Sequence, residues 1–193
     1  MSDLFDMLSG WIRDCTILKC YKLVLVQGAT MDCQFKPIDL DANFTDCVQF
    51  REDSYFCSFG TSEGYLETIG QNGEAYYAKL LSRLGSPEWG YFHLWSGDEL
   101  IGQLEFKSHS EIAGFGYIHL IYLVPTYRGL GLSETVHKYL IEQLKLMGCN
   151  GAVLSVSREN KRAVSFYQKN GWQYWKPNHN HQLTDFFSIE FCL

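Results

Sequence analysis

The chain has 193 residues, of which 46% are hydrophobic and 20% charged, and this composition is typical of a globular protein with one sizeable core. The net charge of -6 argues against a nucleic-acid-binding protein, which normally carries a basic face. The seven cysteines are odd in number and form no CxxC pair, so a disulfide framework and a structural zinc site are disfavoured and a reducing, cytoplasmic setting is expected. No run approaches the roughly 20 apolar residues of a membrane span, so no membrane association is expected.

The first thirty residues are interpreted as an N-terminal extension (1–30) ahead of one domain at 31–193. Apolar residues at helical spacing predict a short amphipathic helix at 2–14, and an apolar run predicts a strand at 17–27. The segment begins with acidic residues rather than a basic region, so no targeting signal is expected. An added hairpin, an arm of a possible homodimer, and sequence translated ahead of an internal start are all compatible with it.

From residue 33 onward, the hydrophobic periodicity alternates between that of strands and that of helices. Glycine and proline mark the ends of the elements, and Ser96-Gly97-Asp98 joins two strands in a hairpin pattern. This order indicates an α+β fold with one continuous sheet. Strands are predicted at 33–38, 89–95, 99–107, 115–124, 152–157, 172–176 and 184–192; helices are predicted at 41–57, 71–84, 131–147 and 160–170, with a loop at 56–64.

A glycine turn follows the strand at 115–124 and opens the next helix, in the stretch VPTYRGLGLSETV (124–136). The first N–H groups of a helix lack partners and carry positive potential, and glycine leaves room for a ligand against the backbone. Gly129, Gly131 and the N–H groups of 129–133 therefore form a candidate anion cradle, with a plain tight turn as the alternative. The P-loop and the dinucleotide fingerprint both fit poorly, the latter because Glu134 stands where a third glycine is needed.

The same residues resemble a known family signature. Arg128-Gly-Leu-Gly131-Leu-Ser133 resembles the acyl-CoA signature of the GNAT superfamily of N-acetyltransferases, Arg/Gln-x-x-Gly-x-Gly/Ala, with serine in the last position. Downstream, Asn160 to Trp172 (NKRAVSFYQKNGW) is similar to the family segment Asn-x-x-Ala-x-x-Phe-Tyr-x-Lys-x-Gly-Phe. The resemblance is close over 89–176. It implies a GNAT-like fold, with a central, mostly antiparallel sheet, two splayed parallel strands and flanking helices.

The resemblance also implies how acetyl-CoA would be held. The pantetheine arm is expected between the strands 115–124 and 152–157, paired with backbone groups, one of which polarises the thioester carbonyl. Arg128 either adds charge to the pyrophosphate site or is exposed to solvent. Asn160 either contacts the arm, caps its helix, or does both. The expected cofactor-binding residues are Leu123, Val124, Arg128, Gly129, Leu130, Gly131, Leu132, Ser133, Asn160 and Tyr167.

Tyr167 resembles the family's usual general acid, which gives a proton to the CoA thiolate; a core tyrosine is the alternative. Two residues are candidates for the general base. Glu105 lies on a polar stripe with Gln103 and Lys107, and His119 lies on a face expected to alternate as Tyr117, His119, Ile121, Leu123. A water chain and an already neutral amine remain alternatives to both.

The expected activity is acetyl-CoA-dependent transfer of an acetyl group to a primary amine, with a small molecule favoured as the acceptor. A protein or peptide N-acetyltransferase is one alternative. Others are a non-catalytic CoA-binding regulator or sensor on the same fold, and a structural dimer module that binds no CoA. His179 and His181 are too weak a signal for a metal site, so no metal is expected. The expected partners are acetyl-CoA and an amine, with no nucleic acid and no membrane.

Overall fold

The computed structural model describes residues 33–70 and 72–192, so the helix predicted at 2–14 and the strand predicted at 17–27 lie outside the described residues. Seven strands form one sheet in the order β1-β2-β3-β4-β5-β7-β6. The strands are β1 (Gln34–Pro37), β2 (Trp89–Ser96), β3 (Glu99–Lys107), β4 (Phe115–Leu123), β5 (Gly151–Ser157), β6 (Gln173–Pro177) and β7 (Thr184–Glu190); the helices are α1 (Leu40–Phe59), α2 (Tyr65–Ile69), α3 (Glu74–Leu81), α4 (Leu132–Leu146) and α5 (Lys161–Lys169).

The sheet is antiparallel except at its centre. Strands β1 to β4 form an antiparallel meander, β4 and β5 are parallel, and β5, β7 and β6 are antiparallel again. This arrangement confirms the predicted mixed, mostly antiparallel sheet with one parallel pair. The helix α4 connects the two parallel strands, as a parallel pair requires.

The helices before β2 differ from the prediction. Helix α1 extends to Phe59, into the predicted loop, because the chain first turns at Gly60, which has a φ of 71° and donates its N–H to Phe56 O. The short helix α2 was not predicted. Helix α3 begins after Gly73, which has a φ of 78°, and is shorter than the predicted helix at 71–84.

Two apolar cores cover the two faces of the sheet. On one face, the predicted stripe of α4 is buried, with Val136, Leu140 and Leu144 fully enclosed against the strands. On the other face, α1 and α3 bury Cys47 and Leu80 in a second cluster. The site described below lies where the sheet opens between these layers.

One extra residue in β4 shapes the centre of the sheet. Glu105 is opposite Leu120 whereas Phe106 is opposite Ile118, so His119 has no opposite residue in β3 and forms a β-bulge. Because a bulge shifts the alternation by one residue, Ile121 and Leu123 pack with the α4 core while His119 faces the α1 side. The predicted common face of Tyr117, His119, Ile121 and Leu123 was therefore wrong.

The bulge also coincides with a gap in the sheet. Strands β4 and β5 are paired only from Phe115–Ile118 to Gly151–Leu154. Beyond Ile118 the two parallel strands separate, and the space between them opens as a V-shaped gap. The N-terminus of α4 lies near this gap, since that helix follows the end of β4 and Ser133 lines the cavity there.

Candidate active site

The gap between β4 and β5 contains a cavity of about 430 Å³, a volume within the usual range for small-molecule sites. Its floor is formed by β4 from Ile118 to Leu123 and by residues 154–156 of β5. Helix α1 borders it on one side through Ser54, Cys57 and Ser58, and the first two turns of α5 border it on the other. The cavity therefore reaches from the start of α4 to the α1 face of the sheet.

The backbone of β4 offers hydrogen-bonding groups to this gap. Val124 donates its N–H to Ile101 O at 2.9 Å, so these two residues form a hydrogen-bonded pair of the β3–β4 ladder. In an antiparallel ladder, residues whose backbone groups bond to the neighbouring strand alternate with residues whose backbone groups point away from it. Because Val124 bonds to β3, the N–H and C=O groups of Leu123 and of Ile121, two residues earlier, point away from β3. The sequence prediction included Leu123 and missed Ile121, because the position of the bulge sets this alternation.

Val124 is engaged within the chain. Besides its N–H bond to Ile101, its carbonyl oxygen accepts a hydrogen bond from the N–H of Tyr127 at 3.0 Å. Its N–H group is therefore committed to β3, and its carbonyl to the 3-10 turn Pro125–Tyr127. The N–H of Leu123 and both backbone groups of Ile121 are therefore positioned to pair with an extended ligand, whereas the Leu123 carbonyl accepts a hydrogen bond from Arg128.

Arg128 is folded back over the end of β4. Its Nε donates to Leu123 O at 2.7 Å, and its Nη2 forms a hydrogen-bonded ion pair with Asp53 of α1. The guanidinium also lies over the Tyr122 ring, 5.2 Å from the centroid. Burial alone would raise the pKa of Asp53, but hydrogen bonds from Tyr122 and Arg128 outweigh it and lower that pKa overall. The side chain thus connects α1 to the site, an arrangement that neither sequence alternative described.

The glycine turn at 129–131 lies between two residues that line the cavity, Arg128 and Ser133. Gly129 and Gly131 have φ values of 80° and 84°, in the left-handed region that favours glycine. Gly131 caps α4 without any side-chain hydrogen bond to the first helical N–H groups, those of Leu132 and Ser133. The Leu130 side chain is exposed and that of Leu132 is buried in the core, so both can contribute only their backbone to an anion site. These features fit a phosphate group.

Arg162 is a candidate that the sequence prediction missed. It lies in the first turn of α5, lines the cavity, and places its Nη2 3.9 Å from the position that a Cβ on Gly129 would occupy. A signal was present, because Lys161 and Arg162 put two cations at a helix N-terminus, where the helix dipole disfavours them. An anion bound at the nearby glycine turn would offset this unfavourable placement of Arg162.

Asn160 and Tyr167 both line the cavity from α5. The Asn160 side chain accepts a hydrogen bond from Ala163 N–H at 3.1 Å, so the residue caps α5 and borders the site at the same time. Burial raises the pKa of Tyr167 to about 12, and its hydroxyl makes no hydrogen bond to any of the described residues. The phenol therefore carries its proton at neutral pH, as a proton donor must.

His119 and Glu105, the two candidate bases, occupy different environments. His119 is exposed on the cavity floor, and its pKa is lowered by partial burial first and by nearby cations second. Glu105 is only 4% exposed and does not line the cavity. Its Oε1 accepts hydrogen bonds from Tyr76 at 2.5 Å and Gln103 at 2.8 Å, and lies 3.9 Å from Arg51 Nε.

Glu105 belongs to a buried polar chain beneath α1. Gln103 links it to His93 at 3.2 Å, and His93 contacts the Cys47 Sγ at 3.4 Å. Two residues of the predicted polar stripe of β3, Gln103 and Glu105, thus belong to an interior network, whereas Lys107 does not. Within residues 33–70 and 72–192, including this network, no group of three or more His, Cys, Asp or Glu side chains is arranged to hold a metal ion.

A splayed parallel pair, a glycine turn at a helix N-terminus and a partly buried tyrosine beside one cavity match the arrangement that the resemblance to acyl-CoA N-acyltransferases implies. The chain belongs to the acetyltransferase (GNAT) family, whose model matches residues 47–172. Among solved structures, the PaiA N-acetyltransferase of Thermoplasma acidophilum, in complex with coenzyme A, superposes with a TM-score of 0.68 at 19% identity and covers 83% of this chain and 100% of that one. The spermidine N-acetyltransferase of Vibrio cholerae, in complex with CoA and spermine, gives 0.62 at 15% identity, with 82% and 95% covered. At these identities the likeness shows the fold.

Two relatives share local sequence. A mycothiol acetyltransferase of Corynebacterium efficiens is 31% identical over 96 residues, which are 48% of this chain and 32% of that protein. N-alpha-acetyltransferase 30 of Schizosaccharomyces pombe is 28% identical over 117 residues, 58% of this chain and 78% of that protein. The chain therefore spans about a third of the length of the first relative. In the part of the chain that the structure describes, no helix is long and apolar enough to cross a membrane.

Proposed function

We propose that the chain is an acetyl-CoA-dependent N-acetyltransferase that transfers the acetyl group directly to a primary amine of a small molecule. One observation carries the proposal: a single cavity is lined by Ser133 at the N-terminus of α4, by residues 118–123 of β4 and by Tyr167 of α5. Acetyl-CoA supplies an acetyl group activated as a thioester. The residues present fit such a ligand, because the anionic, amide and thiol parts of coenzyme A each have a suitable binding group among them.

Different residues are proposed to bind different parts of acetyl-CoA. The N–H groups of 129–133 and the guanidinium of Arg162 hold the diphosphate, since unpaired helix N–H groups and a nearby cation both favour anions. The backbone groups of Ile121 and Leu123 pair with the amides of the pantetheine arm. Asn160, held in place by its capping bond, borders the same arm.

Two side chains move protons in the proposed reaction. Tyr167 donates its proton to the sulfur that leaves, and its raised pKa keeps that proton available at neutral pH. His119 accepts a proton from the amine. An N–H group of β4, from Ile121 or Leu123, donates a hydrogen bond to the carbonyl oxygen as negative charge develops there.

His119 suits the role of base better than Glu105 does. It lies on the cavity floor, where an amine can reach it, and its lowered pKa keeps the imidazole unprotonated, although it also makes the imidazole a weaker base. Glu105 is enclosed by Tyr76, Gln103 and Arg51, so a proton could reach it only through those partners. We propose that Glu105 fixes the layer beneath the site, while His119 contacts the acceptor.

The peptide N-terminus is the second candidate acceptor, because the N-alpha-acetyltransferase of Schizosaccharomyces pombe matches across 78% of its own length. The residues 31–193 are proposed to form one domain that works in the cytoplasm, and the extension 1–30 is a candidate dimer arm. Each of these statements has a direct check: domain-length expression, cell fractionation and sedimentation of the full chain.

Calorimetric titration with acetyl-CoA tests the cofactor assignment, with dephospho-CoA and ATP as controls. Micromolar binding of acetyl-CoA supports it, and a folded sample that shows no binding up to millimolar concentration refutes it. An amine panel with thiol detection then tests transfer, with Tyr167→Phe as the matched variant. Binding without turnover of any amine would instead favour a CoA-binding regulator or sensor on the same fold.

A further inference from the structure

Beside the cavity, two cations and two aromatic rings surround His119 on the α1 face of the sheet. We call Arg83, Trp89, Lys107 and Tyr117 the basic aromatic cluster. The His119 ring lies 5.5 Å from Trp89 and 4.6 Å from Tyr117, measured between ring centroids. Lys107 Nζ lies 5.6 Å and 5.8 Å from the centroids of the same two rings, and Arg83 Cζ lies 3.9 Å from that of Trp89. His119 therefore belongs to both the cavity and the cluster.

The position of the cluster follows from the strand register. Trp89 of β2 is opposite Lys107 of β3, which is opposite Tyr117 of β4, so the three side chains form one row across the sheet. Arg83 reaches the row from the segment after α3. His119, two residues after Tyr117, lies on this same face by the ordinary alternation of a strand, so the row leads to the candidate base.

The positive charge of the cluster is not balanced locally. Among the described residues, neither Arg83 nor Lys107 has a carboxylate within ion-pair distance. Arg51 is also close, since its Nη1 donates to His119 O at 3.4 Å, but Glu105 lies 3.9 Å from it and offsets its charge.

Two nearby carboxylates, those of Glu105 and Glu111, interact with other groups instead. Glu105 is buried under Tyr76 and Gln103, and Glu111 forms an ion pair with Lys176. After burial, the strongest influences on the His119 pKa are all cationic, those of Arg51, Lys107, Arg83 and Lys79, and all of them lower it. A surface that presents uncompensated cations beside the reacting position attracts an anion and repels an additional cation.

We propose that the acceptor is an amine that also carries an anionic group, a carboxylate or a phosphate, which Lys107 and Arg83 bind while the amine faces His119. The inference rests on the proposed function, because it names the substrate class of the same site. Trp89 and Tyr117 provide the apolar surface for the carbon skeleton between the two groups. A polyamine, which carries further positive charge, is a poor acceptor in this arrangement.

Matched pairs of amines that differ only in the anion test the proposal. Tyrosine is compared with tyramine for the carboxylate, and phosphoethanolamine with ethanolamine for the phosphate, with spermidine as the cationic extreme. The measured quantity is kcat/KM divided by the fraction of neutral amine, so that differences in amine pKa do not enter. We expect the anionic member of at least one pair to be favoured by about tenfold or more, as for one hydrogen bond to a charged group.

Substitutions in the basic aromatic cluster test whether its cations cause the preference for anionic amines. Lys107→Met and Arg83→Gln are expected to lower the anionic-to-neutral ratio about tenfold, whereas Lys107→Arg retains it because the charge remains. Lys138→Gln, at an exposed cation of α4 on the other face of the sheet, is the control and leaves the ratio unchanged. Calorimetric titration of the preferred amine into CoA-saturated protein gives a second readout that does not depend on turnover.

The outcomes separate the two proposals. If acetyl-CoA does not bind the wild-type protein, the proposed function fails. If acetyl-CoA binds and amines are acetylated, but the neutral partner or spermidine is preferred, the function stands and the anionic acceptor is overturned. A ratio that is equally high in folded Lys107→Met and Arg83→Gln, shown by unchanged acetyl-CoA affinity, would also overturn it.

Discussion

Replacing Gly131 with alanine tests the anion cradle, and Gly148→Ala at the other end of α4 is its matched control. The two glycines have φ values of 84° and 83°, and a Cβ at either position meets no other atom within 4 Å. Both substitutions therefore impose the same left-handed strain of about 1–2 kcal/mol without a steric clash. Only Gly131 precedes the N–H groups that are proposed to hold the diphosphate.

The two variants should consequently lose similar stability and differ in ligand affinity. A methyl group at Gly131 displaces a phosphate from one N–H contact, and each hydrogen bond to a charged group contributes about 1.5–3 kcal/mol, equivalent to roughly a 10- to 150-fold change in Kd. Urea denaturation measures the stability, and calorimetric titration measures the acetyl-CoA affinity. Wild-type acetyl-CoA affinity in Gly131→Ala, or an equal loss of that affinity in Gly148→Ala, would show that the glycine turn does not bind the diphosphate.

Three further predictions concern catalysis and stability. Tyr167→Phe should lower kcat about 100-fold or more in thiol-release assays, with little change in the Kd for acetyl-CoA, since general acid catalysis contributes about 10²–10⁴; wild-type turnover would contradict the assignment. Because the pKa of His119 is lowered, log kcat/KM should rise with pH up to the pKa of the amine without a break near about 6.5, the ordinary value for histidine; a break there that disappears in His119→Gln would contradict the lowered pKa. The lowered pKa of Asp53 means that its ion pair with Arg128 adds stability above the unfolded-state pKa of about 3.9. This stability is lost as the pH falls through the folded-state value, so the difference in urea midpoint between wild type and Asp53→Asn should vanish in acid. Because the two side chains are 25% and 35% exposed, the pair should contribute only about 0.2–1 kcal/mol at pH 7.

The sequence predicted the elements with strong local signals. The stripe of α4 is buried at Val136, Leu140 and Leu144, the hairpin of β2 and β3 forms around Gly97, and Gly148 and Gly171 follow the ends of the last two helices. These features depend on periodicity and on turn chemistry, both of which are properties of a few neighbouring residues. The boundaries around α2 and α3 were less predictable, because they depend on where Gly60 and Gly73 adopt left-handed backbone conformations.

The site was harder to predict because its geometry depends on contacts between distant segments. Whether Glu105 faces solvent depends on Tyr76, 29 residues away, whose hydroxyl covers it from α3. The position of Arg128 depends on Asp53, which is 75 residues away on α1. The motifs indicated which residues belong to the site, and the tertiary structure decided which group faces which.

The bulge at His119 couples the two halves of the proposed mechanism. A regular β4 would continue the register set by Ile118, and His119 would then be paired with a residue of β3 rather than left unpaired. The extra residue instead coincides with the point where β4 leaves β5, which opens space for the arm, and the unpaired His119 lies on the α1 face, where the cations lie. Deleting one residue here should therefore abolish both acetyl-CoA binding and acceptor selection, whereas His119→Gln, which keeps the bulge, should preserve acetyl-CoA affinity in the same calorimetric titration. Equal loss of affinity in both variants would show that the imidazole, rather than the extra residue, maintains the gap.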